Sequence, residues 1–239
     1  MEIEEAIFTR RTVRKYSGKP VEKEKLLKII DAARHSPTAC NYQNWHFVVV
    51  DEKETLNKLH FVGAFHAIIS PVVIFTFYSD QKGMVNLEYQ DHIQSASAAV
   101  MSMVYMAQSL GLGTDWVCDL PSESNIKAIL GVPKGYRLVN MLNIGYPDQK
   151  APQPKKMKPL EEIYSFNKFA RVQTTFTGMY QPGFKPEGLL QVKSWGRRLL
   201  VWLWLRTGSD FWKRLILRFS KAARQAKAVQ EGKAKAAQK

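Results

Sequence analysis

An α+β fold is what the sequence of this 239-residue chain predicts. Short apolar runs of strand length recur at 46–50, 72–78 and 137–147, and segments of helical period stand between them. The two kinds of element alternate without a regular strand–helix–strand rhythm, which favours α+β over a doubly wound parallel sheet. The charge adds a third observation. Of the formal net +14, little belongs to residues 1–170, which hold 20 Lys and Arg against 18 Asp and Glu; residues 171–239 hold 15 against 3. A nearly neutral globular part therefore carries a basic extension, and that extension contains Trp195, Trp202, Trp204 and Trp212, four of the six tryptophans.

Composition narrows the class further. With 45% hydrophobic and 23% charged residues, 11 Pro and 14 Gly, the chain is not collagen-like, low-complexity or wholly disordered. Cys40 and Cys118 cannot build a disulfide scaffold, and no Cys-x-x-Cys or Cys/His cluster points to zinc. The opening MEIEEAIFTRR is acidic, then basic, without an apolar signal core, so a cytoplasmic chain is expected.

The elements follow in order. Residues 2–9 read as a short helix entering RRTVRKY. Residues 22–35 place Leu26, Leu27, Ile29, Ile30 and Ala33 at helical spacing, and Pro37 closes that helix. HFVVV (46–50) is a buried strand and residues 52–62 a helix. Pro71 precedes a second buried strand, VVIFTFY. Residues 79–90 are polar and irregular and read as a loop. Residues 91–110 are small and apolar almost all round, which predicts a central, buried helix. GLGTDWV stops it and leads into a strand. Residues 122–130 form a short helix with Ser122 as N-cap. RLVNMLNIGYP (137–147) is the last core strand, and residues 148–160 are extended.

Two segments carry chemistry. Arg10, Arg11, Thr12 and Arg14 put three guanidiniums and a hydroxyl within five residues, able to hold a dianionic phosphate through forked bonds; alone, such a run is as readily a solvated face. Residues 36–50 set small and amide side chains between a helix end and a buried strand, where a loop can approach a planar ligand or merely connect. The five histidines show no ligand or triad spacing, and each is expected to be structural.

Together these segments resemble the nitroreductase family of FMN-dependent oxidoreductases. The residues are Arg10-Arg11-Thr12-Val13-Arg14, Pro37 through Trp45, the buried helix ending in Gly111 to Trp116, and Gly145-Tyr146-Pro147 followed by Lys155 to Glu162. The resemblance implies a three-layer sandwich with a central, mostly antiparallel sheet over residues 1–165. It also implies a homodimer with FMN at the interface, reduced by NAD(P)H and reoxidised by a small organic acceptor of nitroaromatic, quinone or enone type. Arg10, Arg11, Thr12 and Arg14 would hold the phosphate and the pyrimidine side. Pro37, Thr38, Ala39 and Asn41 of the partner subunit would complete the site. The backbone of Val117 and Cys118 would pass the flavin N5 edge. A same-fold specialist (reductive dehalogenase-like or flavin-cleaving) and a flavin-binding, membrane-docking protein without turnover are the alternatives.

Departures from the family pattern are informative. Met157 stands where the family has an arginine on the phosphate, so one of the flanking Lys155, Lys156 and Lys158 would substitute, without the planar fork. Asn44 replaces a proline. Cys118-Asp119 replaces a glycine pair and sets a thiol and a carboxylate near the N5 edge. Either Asp119 tunes protonation of the acceptor, or Cys118 is a small buried filler and Asp119 caps the helix near Ser122. No catalytic side chain and no metal ligand is assigned.

The resemblance ends near Ser165. Residues 166–188 read as a linker or dimer-wrapping segment and 189–239 as a basic helical extension. LLVWLWL (199–205) is too short to span a bilayer. Residues 211–230 align Phe211, Trp212, Leu215, Ile216 and Phe219 on one face of a cationic amphipathic helix, the profile of a segment lying on an anionic membrane surface. Packing of the tail on its own dimer is the competing reading. Nucleic acid is disfavoured, since LLVWLWL is too apolar to track phosphates.

Overall fold

Four antiparallel strands form the centre of a computed structural model that describes residues 1–79, 90–120, 122–148 and 157–169, with Thr207 and Phe211. The chain makes two compact units, Met1–Pro152 and Gln153–Lys239. Among the described residues of the second, Leu160–Glu162 forms one 3₁₀ turn. The first unit holds helices α1 (Ile3–Thr9), α2 (Lys23–Arg34), α3 (Lys53–Phe61), α4 (Asp91–Ser109) and α5 (Glu123–Ile129). Its strands are β1 (Trp45–Val50), β2 (Val72–Ser79), β3 (Gly113–Val117) and β4 (Tyr136–Gly145).

The sheet runs β1-β2-β4-β3, with every pair antiparallel. β-Branched and aromatic residues dominate β1 and β2; β2 is buried along its whole length, as the apolar run predicts, whereas β1, also expected to be buried, lies at the sheet edge with only Val50 buried. Strand alternation divides the faces. Val72, Ile74, Leu142 and Ile144 join Ile29, Ala33, Ala99, Val100, Met103 and Ala107 of α2 and α4 in the main core. The opposite face carries Val73, Phe75, Phe77 and Met141, all fully buried. The register shifts between Thr76 and Phe77, where β2 faces β4.

Helix α4 is central, but it is not buried all round. Ala96, Ala99, Val100, Met103, Val104 and Ala107 are buried, whereas Ala98, Met101, Ser102 and Tyr105 on the other side are half-buried. The helix lies on the sheet against α2, and these two neighbours cover one flank. Leu27 in α2 likewise faces away from the core and is 55% exposed. Ser122 stands at the N-cap of α5 without making a side-chain cap bond. The loop 79–90 and the tail 170–239 fall, apart from Ser79, Gln90, Thr207 and Phe211, outside the described residues. Among the described residues, no helix is long and apolar enough to cross a membrane.

Candidate functional site

The GLGT sequence after α4 does two separate jobs. Gly111 takes φ +75°, a left-handed conformation that stops the helix. Its N–H donates to the Gln108 carbonyl at 3.1 Å and the Leu112 N–H to the Ala107 carbonyl at 2.9 Å, the paired bonds of a Schellman cap. Leu112 drops into the core at 2% exposure. Gly113 has no special φ; its need is space. A Cβ there would meet the Val13 side chain at 2.6–2.9 Å.

That close approach docks the arginine segment. The Val13 N–H donates to the Thr114 carbonyl at 2.9 Å, and Thr12 bridges Thr114 in parallel. Further along, Tyr16 bridges Pro147, the Ser17 N–H donates to the Tyr146 carbonyl at 2.9 Å and the Asp148 N–H to the Lys15 carbonyl at 3.0 Å. Gly145 belongs to the same seam, since a Cβ on it would strike Pro71 and Tyr16 at 2.8 Å. The structure therefore brings together three of the four sequence motifs: the arginine run, GLGT and Gly-Tyr-Pro.

Within the segment two of the three guanidiniums are oriented. Arg11 Nη1 donates to the carbonyls of Phe8 (2.9 Å) and Arg10 (2.8 Å) at the end of α1. Arg14 Nε pairs with Asp115 Oδ1 at 3.2 Å, while 63% of its side chain stays exposed. Asp115 is 1% exposed, and its other oxygen lies 2.8 Å from His66 Nδ1. Burial, together with the charge of Asp115, raises the Tyr16 phenol well above its ordinary pKa, and its hydroxyl donates to the Val13 carbonyl at 2.6 Å. Sequence reasoning missed Asp115 and His66. Positions 14, 66 and 115 meet only through the fold, so spacing alone carries no signal for them.

Pro37–Trp45 lies elsewhere. Its anchors are the Ala39 N–H on Ser95 Oγ (3.3 Å), the Gln43 N–H on Thr38 Oγ1 (3.2 Å) and the Asn44 carbonyl accepting from the Ser79 N–H (2.8 Å). Cys40, Asn41 and Gln43 take φ of 48°, 54° and 52°. These left-handed values turn the backbone sharply at positions where only Asn is at ease. Trp45 pairs with Tyr78, which pairs with Arg137; Thr114 pairs with Ile144. The loop and the arginine segment thus flank opposite edges of the sheet and opposite ends of β4. Three strand spacings and roughly seven residues of rise separate them by on the order of 25 Å.

Val117 ends β3 and Cys118 leaves the sheet. Cys118 is exposed, not a buried filler, because the chain has already departed from the core there. Asp119 is exposed as well. Met157 is 71% exposed, and Lys155 and Lys156 lie outside the described residues. Two cavities, of about 180 and 150 Å³, sit away from the arginine segment. One is lined by His92, Glu123 and Arg137, the other by His46, Phe77 and Tyr136.

An antiparallel α+β sandwich with an arginine segment docked on a Gly-Leu-Gly-Thr strand defines a class of protein, and comparison with known proteins gives it a family. Residues 7–63 and 62–146 match the nitroreductase family, over more than half of the sequence, and the chain belongs to that family. A protein of Archaeoglobus fulgidus named "Putative NADH dehydrogenase/NAD(P)H nitroreductase" is 32% identical over 148 residues, spanning 60% of this chain and 85% of its own length. Iodotyrosine deiodinase 1 of Rattus norvegicus is 27% identical over 195 residues, 68% of each chain. The solved structure of an FMN-dependent nitroreductase from Clostridium difficile R20291 superposes with a TM-score of 0.58 at 30% identity, over 69% of this chain and 98% of that one.

Proposed function

We propose that the protein is a homodimeric oxidoreductase that uses FMN, takes electrons from NAD(P)H and passes them to a small organic acceptor of nitroaromatic, quinone or enone type. When bound, FMN supplies the hydride and electron chemistry. The chain's own residues supply the grip. Arg10, Arg11, Thr12 and Arg14 form a donor set suited to a phosphate ester, on a segment held in place by the Gly113 contact and the Asp115 pair. The backbone of Val117 and Cys118 borders the flavin in this reading, Lys155 and Lys156 add positive charge, and Pro37, Thr38, Ala39 and Asn41 of the partner subunit close the site.

One observation carries the dimeric reading. Two segments that both suit a flavin flank diagonal corners of one sheet, so a single chain offers only half a site. The test is direct. Purified protein is expected to be yellow or to take up FMN, and its flavin absorbance to bleach anaerobically with NADH or NADPH. Colourless protein that takes up no FMN refutes the proposal.

A dehalogenating reaction is the second reading, favoured by the 27% identity to the rat deiodinase. Reduced enzyme that reoxidises on halophenols and releases halide, in preference to quinones or nitroaromatics, would select it. For residues 189–230 the proposal is docking on the inner face of the cytoplasmic membrane, supported by charge and aromatic placement in the sequence. Full-length protein should sediment with anionic liposomes and a chain truncated after residue 188 should not. Equal sedimentation contradicts it.

A further inference from the structure

Asp115 is an expensive residue for a strand. The pleat of β3 turns Trp116 toward the main core and Asp115 to the opposite face, where it is 1% exposed. A buried carboxylate without partners is strongly destabilising, so its partners define its purpose. Arg14 Nε takes one oxygen at 3.2 Å and His66 Nδ1 the other at 2.8 Å. The two partners are unlike their anchor. The Arg14 side chain is 63% exposed and that of His66 42%, so a fixed interior charge holds two groups that open to solvent.

The geometry matters most for Arg14. A free, exposed arginine samples many rotamers and loses that side-chain entropy when a ligand fixes it. Here the Nε edge is held by a carboxylate rooted in the sheet, and the backbone one residue earlier is held by the Val13–Thr114 bond of 2.9 Å. The guanidinium has five N–H donors, so the pair uses one edge and leaves the terminal nitrogens available to an anion. Of the arginines in the segment, Arg11 is turned back onto carbonyls of its own helix end, and Arg14 is anchored across the fold.

We propose that Asp115 is a positioning residue that fixes the Arg14 guanidinium for an anionic part of bound FMN, with His66 holding the second carboxylate oxygen so that the first stays on Arg14. The inference rests on the reading of Arg10–Arg14 as the flavin-binding segment. Asp115 also offsets part of the positive charge of Arg14, so its removal alone frees a charge while loosening a geometry, and the two effects oppose each other. The informative quantity is therefore the coupling between positions 14 and 115.

The experiment is a double-mutant cycle read by binding. Dissociation constants for FMN and for riboflavin are measured by fluorescence titration of apoprotein from the wild type, Arg14→Lys, Asp115→Asn and the double variant. Lysine keeps the charge but not the fork. Arg14→Lys should weaken FMN binding about tenfold in the wild-type background and little in the Asp115→Asn background, where the fork is no longer aimed. A merely structural role for Asp115 would shift affinity equally with and without the Arg14→Lys change. Coupling with FMN alone assigns the phosphate as the anionic part; coupling of equal size with riboflavin, whose oxidised ring is neutral, overturns the assignment to an anionic group. An equal penalty in both backgrounds, or none in the wild type, overturns the inference while leaving FMN binding intact. Wild-type protein that binds no FMN overturns the parent reading and this one with it. If Asp115→Asn fails to fold, His66→Ala replaces it at a more exposed position, and the same loss of the Arg14→Lys penalty is required.

Discussion

Gly111 and Gly113 stand two residues apart and forbid a side chain for different reasons. At Gly111 nothing lies within 4 Å of an added Cβ, so Gly111→Ala meets only the cost of a left-handed residue, about 1–2 kcal/mol. At Gly113 the Cβ collides with Val13, an overpacking of about 1–3 kcal/mol that also lifts the arginine segment from β3. Thermal melts should therefore show both variants destabilised, whereas FMN titration should show weakened binding in Gly113→Ala alone. Glu22 gives a prediction in pH. Its carboxyl accepts from the Tyr146 hydroxyl at 2.6 Å, with Lys25 and Lys19 beside it, and that hydrogen bond lowers its pKa to about 2. A lowered carboxylate favours the folded state above its unfolded pKa, and the effect is lost as pH falls through the folded one. The Tm gap between wild type and Glu22→Gln should be constant above about pH 6, where an unfolded carboxylate is fully ionised, and should close as pH falls toward 2. A gap that persists unchanged at pH 2 contradicts the assignment.

At the scale of elements, the strands were legible because a run such as VVIFTFY has few alternatives to a buried strand. The helices were legible by period, but not which side of each would be covered. The small, apolar sequence of α4 predicted burial all round; α2 and the sheet cover one flank, and Met101 and Tyr105 remain half-buried. The same limit applies to Leu27, which shares its helix with the fully buried Ile29. Met103→Ala should destabilise by about 2–5 kcal/mol, and Leu27→Ala should stay within about 0.5 kcal/mol, checked by denaturant titration. Motifs gave the components of the candidate site but not its wiring. That GLGT caps one element and receives another needs the Schellman bonds and the Val13 contact, and the Asp115 pair joins residues some hundred positions apart in the sequence. Cys118 departs from the usual burial of small thiols because β3 has already ended at Val117.

The whole molecule separates two questions that the net charge had merged. The first 170 residues are nearly neutral and hold the sheet and the arginine segment; the excess charge lies beyond them, in the tail for which membrane docking is proposed. Within the sheet, the β1-β2-β4-β3 order sets the Pro37–Trp45 loop and the arginine segment at diagonal corners. In the proposed dimer, a working flavin site takes one segment from each of two copies. Subunit complementation tests it most directly. Arg14→Ala and Asn41→Gly, each expected to bind FMN poorly, are co-expressed with different tags, and the mixed dimer is isolated through both. Its two sites divide the damage: one carries both substitutions and the other neither. The mixed dimer should hold about one tightly bound, NAD(P)H-bleachable FMN, half the wild-type content. A mixed dimer with no more flavin than either parent would contradict it.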